Sequence, residues 1–154
     1  MSSPSVLAPL SGTVLELKDV PDPVFAQAMV GPGLAIEPPK DAQRITVTAP
    51  VAGTVVKVMP HAFVIMHESG NAVLVHVGID TVNLKGEGFT VSAAKGDQVK
   101  AGDPMVECDV AFIRSRDLST CCPVVVLDAK ADQLTDLHPS GALVTSGDVL
   151  FGVL

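Results

Sequence analysis

Tryptophan and tyrosine are missing from this chain, and the aromatic content is five Phe, 3% of the residues. Basic side chains are scarce as well, with ten Lys and Arg against seventeen Asp and Glu, which gives a formal charge of −7 and a pI near 4.8. A nucleic-acid binder needs a basic face to meet phosphates and aromatic rings to stack on bases, so that class is excluded and basic partners are favoured over acidic ones. No run approaches the ~20 apolar residues of a membrane span, and Met1-Ser-Ser-Pro-Ser-Val has neither the basic nor the apolar region of a signal peptide. A cytoplasmic protein is expected. Three cysteines, two of them adjacent as Cys121-Cys122, do not suit a disulfide framework, and no CxxC or metal-type spacing competes with reading Cys108, Cys121 and Cys122 as structural thiols.

What remains is 47% hydrophobic over 154 residues, enough for one compact domain whose core is built from valine and other small side chains. Residues 1–5 are expected to form a short disordered terminus ahead of a single domain over 6–154. Thirteen Gly and twelve Pro oppose a helical bundle, because both residues are costly inside helices. Strand pattern occurs at 44–49, 54–58, 62–66, 72–77, 89–91, 105–109, 124–127 and 149–154. Separated by turn signals, these runs predict an all-β antiparallel sandwich or barrel with little helix, limited to single turns at 23–29 and 110–116. An internal echo adds to this. Ala8-Pro9-Leu10-Ser11-Gly12-Thr13-Val14 returns as Ala49-Pro50-Val51-Ala52-Gly53-Thr54-Val55, and Gly102-Asp103 returns as Gly147-Asp148. Two duplicated strand-turn units packed together account for both pairs.

The chemistry concentrates between His61 and Asp80. Glu68-Ser69-Gly70-Asn71 separates two β-rich runs and reads as a hairpin turn. With Ser69-Gly70 as a two-residue loop, Phe63 opposes His76 and His61 opposes Gly78. The two histidines are then diagonal neighbours on one face, at roughly 7–8 Å backbone separation. Val73, Val75, Val77 and Ile79 point into the core on this reading, and Leu74, His76 and Gly78 point outward. Gly78 is expected to leave open space beside the imidazoles, and Phe63, Leu74 and Phe25 to form an apolar collar. Desolvation there keeps an imidazole neutral and nucleophilic near pH 7, and a second imidazole can donate a hydrogen bond to charge developing on a group carried by the first. Pattern alone leaves both a functional and a structural role open for this pair, whereas His67 and His138 read as structural.

Gly70-x-x-Val-Leu-Val-His76-Val-Gly-Ile-Asp80-Thr-Val82 resembles the phosphorylation-site signature of the enzyme IIA domains of the bacterial sugar phosphotransferase system, glucose family. Val20-Pro-Asp22-Pro-Val-Phe25-Ala, Gly31-Pro-Gly33-Leu-Ala-Ile, Ala49-Pro-Val-Ala-Gly53-Thr, His61-Ala-Phe, Leu84-Lys-Gly-Glu-Gly-Phe89 and Val99-Lys-Ala-Gly-Asp103 resemble the same family, in order, over nearly the whole chain. The resemblance implies an antiparallel β-sandwich or barrel with an internal duplication, the duplicated hybrid motif. It implies that His76 takes a phosphoryl group on Nε2 from the phosphocarrier protein HPr and passes it to a cysteine of an enzyme IIB domain, with no cofactor. His61 would support the phosphoryl group without carrying it. Asp22 and Asp80 would meet arginines of both partners on a docking face shared with Phe25, Phe63, Leu74 and Gly78. Regulatory targets that distinguish the two phosphorylation states are implied too. The family commonly has a threonine shortly before its first histidine, whereas this chain reads Val58-Met59-Pro60-His61. Either another group orients the imidazole or the site tolerates the loss.

Two other classes share such turns. A zinc peptidase of the lysostaphin type would use an H-x-x-x-D, present once as His76 to Asp80, but also an H-x-H, which the chain lacks. A biotinyl or lipoyl carrier displays a lysine at a hairpin tip, where this chain has Glu68-Ser-Gly-Asn71.

Overall fold

A computed structural model of the chain describes residues 5–27 and 29–153. The strands in chain order are β1 (Ser5–Leu7), β2 (Gly12–Glu16), β3 (Gly33–Glu37), β4 (Arg44–Thr48), β5 (Gly53–Met59), β6 (Ala62–Met66) and β7 (Ala72–His76). They continue as β8 (Phe89–Val91), β9 (Gln98–Val99), β10 (Pro104–Asp109), β11 (Cys122–Val126), β12 (Leu134–Thr135), β13 (Leu143–Val144) and β14 (Val149–Val153). Helix is confined to α1 (Pro23–Ala26), α2 (Val110–Ser115) and three 3-10 turns among the described residues. The expected single turns at 23–29 and 110–116 are these two helices. Ser5 opens β1, opposite Gly152, while the rest of the expected disordered terminus lies outside the described residues.

All strand pairs are antiparallel. An eight-stranded sheet runs β13-β2-β3-β11-β7-β6-β5-β9, and two three-stranded sheets run β1-β14-β12 and β4-β10-β8. The eight-stranded order is symmetric about the β11/β7 pair: β2 corresponds to β5, β3 to β6 and β13 to β9. The two small sheets correspond in the same way. The sequence echo is the local cause. Leu7 N–H donates to the Pro50 carbonyl and Thr48 N–H to the Pro9 carbonyl, both at 2.8 Å, so each Pro-x-x-Gly turn takes the strand end of the other half. The repeated aspartates act alike too, Asp103 Oδ2 accepting from Lys100 N–H and Asp148 Oδ2 from Thr145 N–H, each at 2.8 Å. Glycine is required at both turn exits, since a Cβ on Gly12 would stand 2.2 Å from the Glu37 carbonyl oxygen and one on Gly53 2.1 Å from that of Met66.

The core between the sheets is mostly branched aliphatic: Val6, Val14, Ile36, Val47, Val55, Ile65, Val73, Val75, Val106 and Val124 are fully buried. Cys108 and Cys122 join them, and burial pushes the Cys108 thiol up to about 12 and the Cys122 thiol well above its ordinary value. These thiols are protonated packing groups at neutral pH.

The register of β6 and β7 corrects the expected hairpin. Ala62, not Phe63, opposes His76, and Phe63 opposes Val75. The loop has three residues, Glu68 to Gly70, closed by His67 N–H to the Asn71 carbonyl at 2.9 Å, with Gly70 taking the positive φ of 93°. A left-handed glycine as the last loop residue suits a three-residue connection, which slips the register by one and exchanges the faces of the partner strand. Phe63 consequently lies in the core at 0% exposure and is not part of a collar around the histidines. Phe63→Ala is therefore expected to cost ~3–5 kcal/mol of stability, measurable by urea denaturation, as for other fully buried Phe residues.

Candidate functional site

The two histidines meet in spite of the slipped register, because His61 does not belong to a strand. Met59 pairs with Ala62, so Pro60 and His61 form the two-residue tip of the β5–β6 hairpin, where side-chain direction follows turn geometry instead of strand alternation. The His61 carbonyl accepts from Val77 N–H at 2.7 Å, tying the tip to the end of β7. The imidazoles of His61 and His76 lie edge to face, with centroids 5.2 Å apart and planes at 68°.

In the first half of the duplication, the matching β2–β3 connection is an excursion, residues 17–32, instead of a tight tip. It holds a 3-10 turn at Leu17–Asp19 and then α1, whose N-cap Asp22 accepts from Val24 N–H at 2.8 Å ahead of Pro23 at the first helical position. Leu17, Val20 and Phe25 of this excursion pack on Ala35, Ile79, Cys121 and Val125, with Leu74 and Leu127 half-buried beside them. Burial raises the Cys121 thiol to about 12. This second apolar cluster brings the Phe25 ring 5.3 Å from that of His76, in an edge contact at 62°. The collar thus comes from Phe25 and Leu74. The Ile79 side chain belongs here and not with Val73, Val75 and Val77 in the main core.

Gly78 also differs from expectation. It is buried at φ 78°, and a Cβ would stand 2.6 Å from Thr81 Cγ2 and 3.0 Å from the Ser119 carbonyl oxygen, so there is no open space at that position. Its contribution is its own carbonyl, which accepts from His76 Nδ1 at 2.5 Å. A carbonyl can only accept, so Nδ1 carries the ring proton and Nε2 keeps its lone pair. Burial lowers the His76 pKa below its ordinary value, with the Gly78 bond, Asp22 and Asp80 pulling it partly back. Burial also lowers that of His61, helped by the charges of His76 and Lys57. Both rings are therefore neutral at pH 7. The expected NMR titrations have both midpoints below the ordinary histidine value, and chemistry that needs a neutral imidazole keeps its rate from pH 8 to 7 and declines in acid solution as the rings protonate.

Asp22 is half-buried and Asp80 exposed, each within electrostatic range of His76. Val24 on α1 and Val82 in the 3-10 turn after Asp80 are exposed apolar side chains on the segments that carry these aspartates. The only sequence signal for them is their adjacency to Asp22 and Asp80. His67 is held in its own loop, with Nδ1 accepting from Ser69 N–H at 3.1 Å, and His138 is half-buried next to β14, its N–H donating to the Leu150 carbonyl. Neither approaches the paired histidines through any hydrogen bond or ring contact. Among the described residues, no three His, Cys, Asp or Glu side chains converge as a metal site, and no helix is long and apolar enough to cross a membrane.

Comparison with known proteins gives this geometry its context. Residues 4–131 match the family model described as phosphoenolpyruvate-dependent sugar phosphotransferase system, EIIA 1. The chain is 44% identical over 142 residues to a glucose-specific EIIA component of Halalkalibacterium halodurans, covering 91% of this chain and 79% of that one. It is 37% identical over 142 residues to a Staphylococcus aureus counterpart, covering 83% of it. A mannose-specific EIIBCA component of Corynebacterium glutamicum is 48% identical over 126 residues, which are 18% of that longer protein. Among solved structures, the glucose permease IIA from Mycoplasma capricolum superposes with a TM-score of 0.87 at 35% identity, covering 98% of this chain and 96% of that one. A family model over most of the chain, relatives of this identity and a shared duplicated β fold agree: the protein belongs to the glucose-family enzyme IIA components, the phosphocarriers of the sugar phosphotransferase system.

Proposed function

We propose that His76 is the residue that carries the phosphoryl group, on Nε2. The observation that carries this reading is the bond from Nδ1–H to the Gly78 carbonyl, which leaves the Nε2 lone pair as the nucleophile, with the His61 ring edge-on at 5.2 Å. The donor is the phosphohistidine of HPr. As the Nε2 lone pair forms its bond to phosphorus, the donor's N–P bond breaks and its electron pair returns to the donor imidazole. The Nδ1 proton stays hydrogen-bonded to the Gly78 carbonyl throughout. In the second transfer the thiolate of an enzyme IIB cysteine attacks phosphorus, and the Nε2–P bond breaks back to the His76 lone pair. Phosphoryl transfer of this kind depends on positioning and on stabilising charge at the equatorial oxygens, and in the second transfer a hydrogen bond from His61 supplies the latter.

Docking uses the surface around the two rings. Phe25 and Leu74 form its floor, Val24 and Val82 its exposed apolar points, and Asp22 and Asp80 its acidic rim for basic groups on HPr and IIB. The net charge of −7 favours the same partners. The IIB domain belongs to a glucose or N-acetylglucosamine permease, and the exchange takes place on the cytoplasmic side. The test is a mixture of phosphoenolpyruvate, enzyme I, HPr and this protein, followed by a panel of IIB domains. Label should enter the protein with acid-labile, alkali-stable character and leave to a glucose or N-acetylglucosamine IIB. A wild-type protein that stays unlabelled overturns the proposal.

A further inference from the structure

We infer that Thr81 is a positioning residue for phosphoryl acceptance, acting through the Gly78 carbonyl to hold His76 in the tautomer with Nε2 free; the inference rests on His76 being the acceptor. Thr81 is 0% exposed, and a hydroxyl sealed from water needs a partner that justifies its burial. Its Oγ1 donates to the Val77 carbonyl at 2.7 Å, four residues back. That carbonyl belongs to the peptide unit joining Val77 to Gly78, so the bond sets the plane from which Gly78 departs.

The segment is pinned on every side. Val77 N–H donates to the His61 carbonyl at 2.7 Å and Ile79 N–H to the Ser119 carbonyl at 3.0 Å. Gly78 at φ 78° and Asp80 at φ 60° turn the chain back, so that Thr81, at the start of the 3-10 turn Thr81–Leu84, lies beneath residue 78. The Thr81 methyl closes the space where a Gly78 Cβ would stand. The positioning contact is therefore the hydroxyl, which fixes the preceding peptide, while the methyl packs where a side chain at residue 78 would stand. With these in place the Gly78 carbonyl has one direction, toward His76 Nδ1. A neutral imidazole distributes its proton between two nitrogens according to which has the better acceptor, so loosening this carbonyl lets the Nε2–H tautomer form, and that tautomer has no lone pair at the reacting atom.

The experiment compares wild type, Thr81→Val, Thr81→Ser and Thr81→Ala. Imidazole 15N shifts of His76 give the tautomer, and the rate of labelling from phospho-HPr gives acceptance. Wild type is expected to show Nδ1–H alone. T81V should gain a measurable Nε2–H fraction and accept phosphate roughly 10-fold more slowly, a part of the ~100-fold that a 1 Å misplacement of a reacting group costs. T81S, which keeps the hydroxyl, should restore both readouts. T81A repeats the T81V comparison if the valine variant does not fold, with the same direction expected. A folded T81V or T81A with wild-type tautomer and rate overturns the role of Thr81, as does T81S behaving like T81V. A wild-type protein that is labelled elsewhere than His76, or not at all, overturns the acceptor assignment instead.

Discussion

His76→Gln is expected to lower phosphorylation from phospho-HPr by ~1000-fold or more, to the background of the assay, with the fold unchanged. The variant removes the attacking lone pair itself, and loss of a nucleophile is the largest single effect that a substitution has on covalent transfer. Glutamine suits the comparison, because its amide can still donate to the Gly78 carbonyl that His76 Nδ1 now satisfies, so no buried acceptor is orphaned. His76 is half-buried and stands outside both apolar clusters, so circular dichroism and thermal midpoint should match wild type. Labelled H76Q would move the acceptor to another residue, His61 being the first to examine.

His61→Gln separates the two half-reactions. The first transfer needs the His76 lone pair and a docked donor, both of which survive, so H61Q should be labelled readily. The second transfer has to stabilise charge on the phosphoryl oxygens as the Nε2–P bond opens to a thiolate, and the His61 ring is the neighbour able to donate there, 5.2 Å from the His76 ring centre. Removal of one such preorganised donor costs about 100- to 1000-fold in rate. Rapid-quench measurement of label leaving to a IIB domain is the check. Equal slowing of both transfers would show that His61 acts on docking or on the shape of the β5–β6 tip, and an unaffected second transfer would remove it from the chemistry.

Much of this site is legible in the amino-acid order alone, and the illegible parts have identifiable causes. The Gly-Asp turns form as their residues predict because the Asp103 and Asp148 carboxylates close them locally on the Lys100 and Thr145 N–H groups, whereas the Pro-x-x-Gly turns join the two halves through long-range bonds from Leu7 to Pro50 and from Thr48 to Pro9. The strand runs from 62 to 66 and from 89 to 91 match β6 and β8 end to end, since turn residues flank each. The short edge strands β9, β12 and β13, two residues each, carry no period to detect. Alternation correctly assigns Val73, Val75 and Val77 to the core, but it does not choose between a two-residue and a three-residue loop at Glu68 to Gly70. That single choice sends Phe63 inward and leaves Ala62 opposite His76.

At Gly78 the pattern marks the right residue for the wrong reason. A glycine between Val77 and Ile79 reads as empty space, whereas its positive φ and its carbonyl only become visible once Thr81 and Ser119 are packed around it. Phe25 is named with the expected collar, and its ring does meet that of His76, but by a route that is not local. Nothing in its local pattern links it to a residue about fifty positions away, and the link is made by the 17–32 excursion folding across the outer face of β3, β11 and β7. The departure at Val58-Met59-Pro60-His61 has its counterpart in the geometry: Pro60-His61 is a two-residue tip whose proline has a locked φ, and its backbone is tied to Val77. The ring is thus carried on a stiff turn.

The central claim is that the phosphoryl group resides on Nε2 of His76. Protein labelled with 15N in histidine, phosphorylated through enzyme I and HPr, reports this directly through phosphorus-nitrogen coupling in NMR spectra. The expected result is one phosphorylated imidazole, assigned to His76, with phosphorus coupled to Nε2 and the proton retained at Nδ1. Phosphorus on Nδ1, or on His61, His67 or His138, would contradict it.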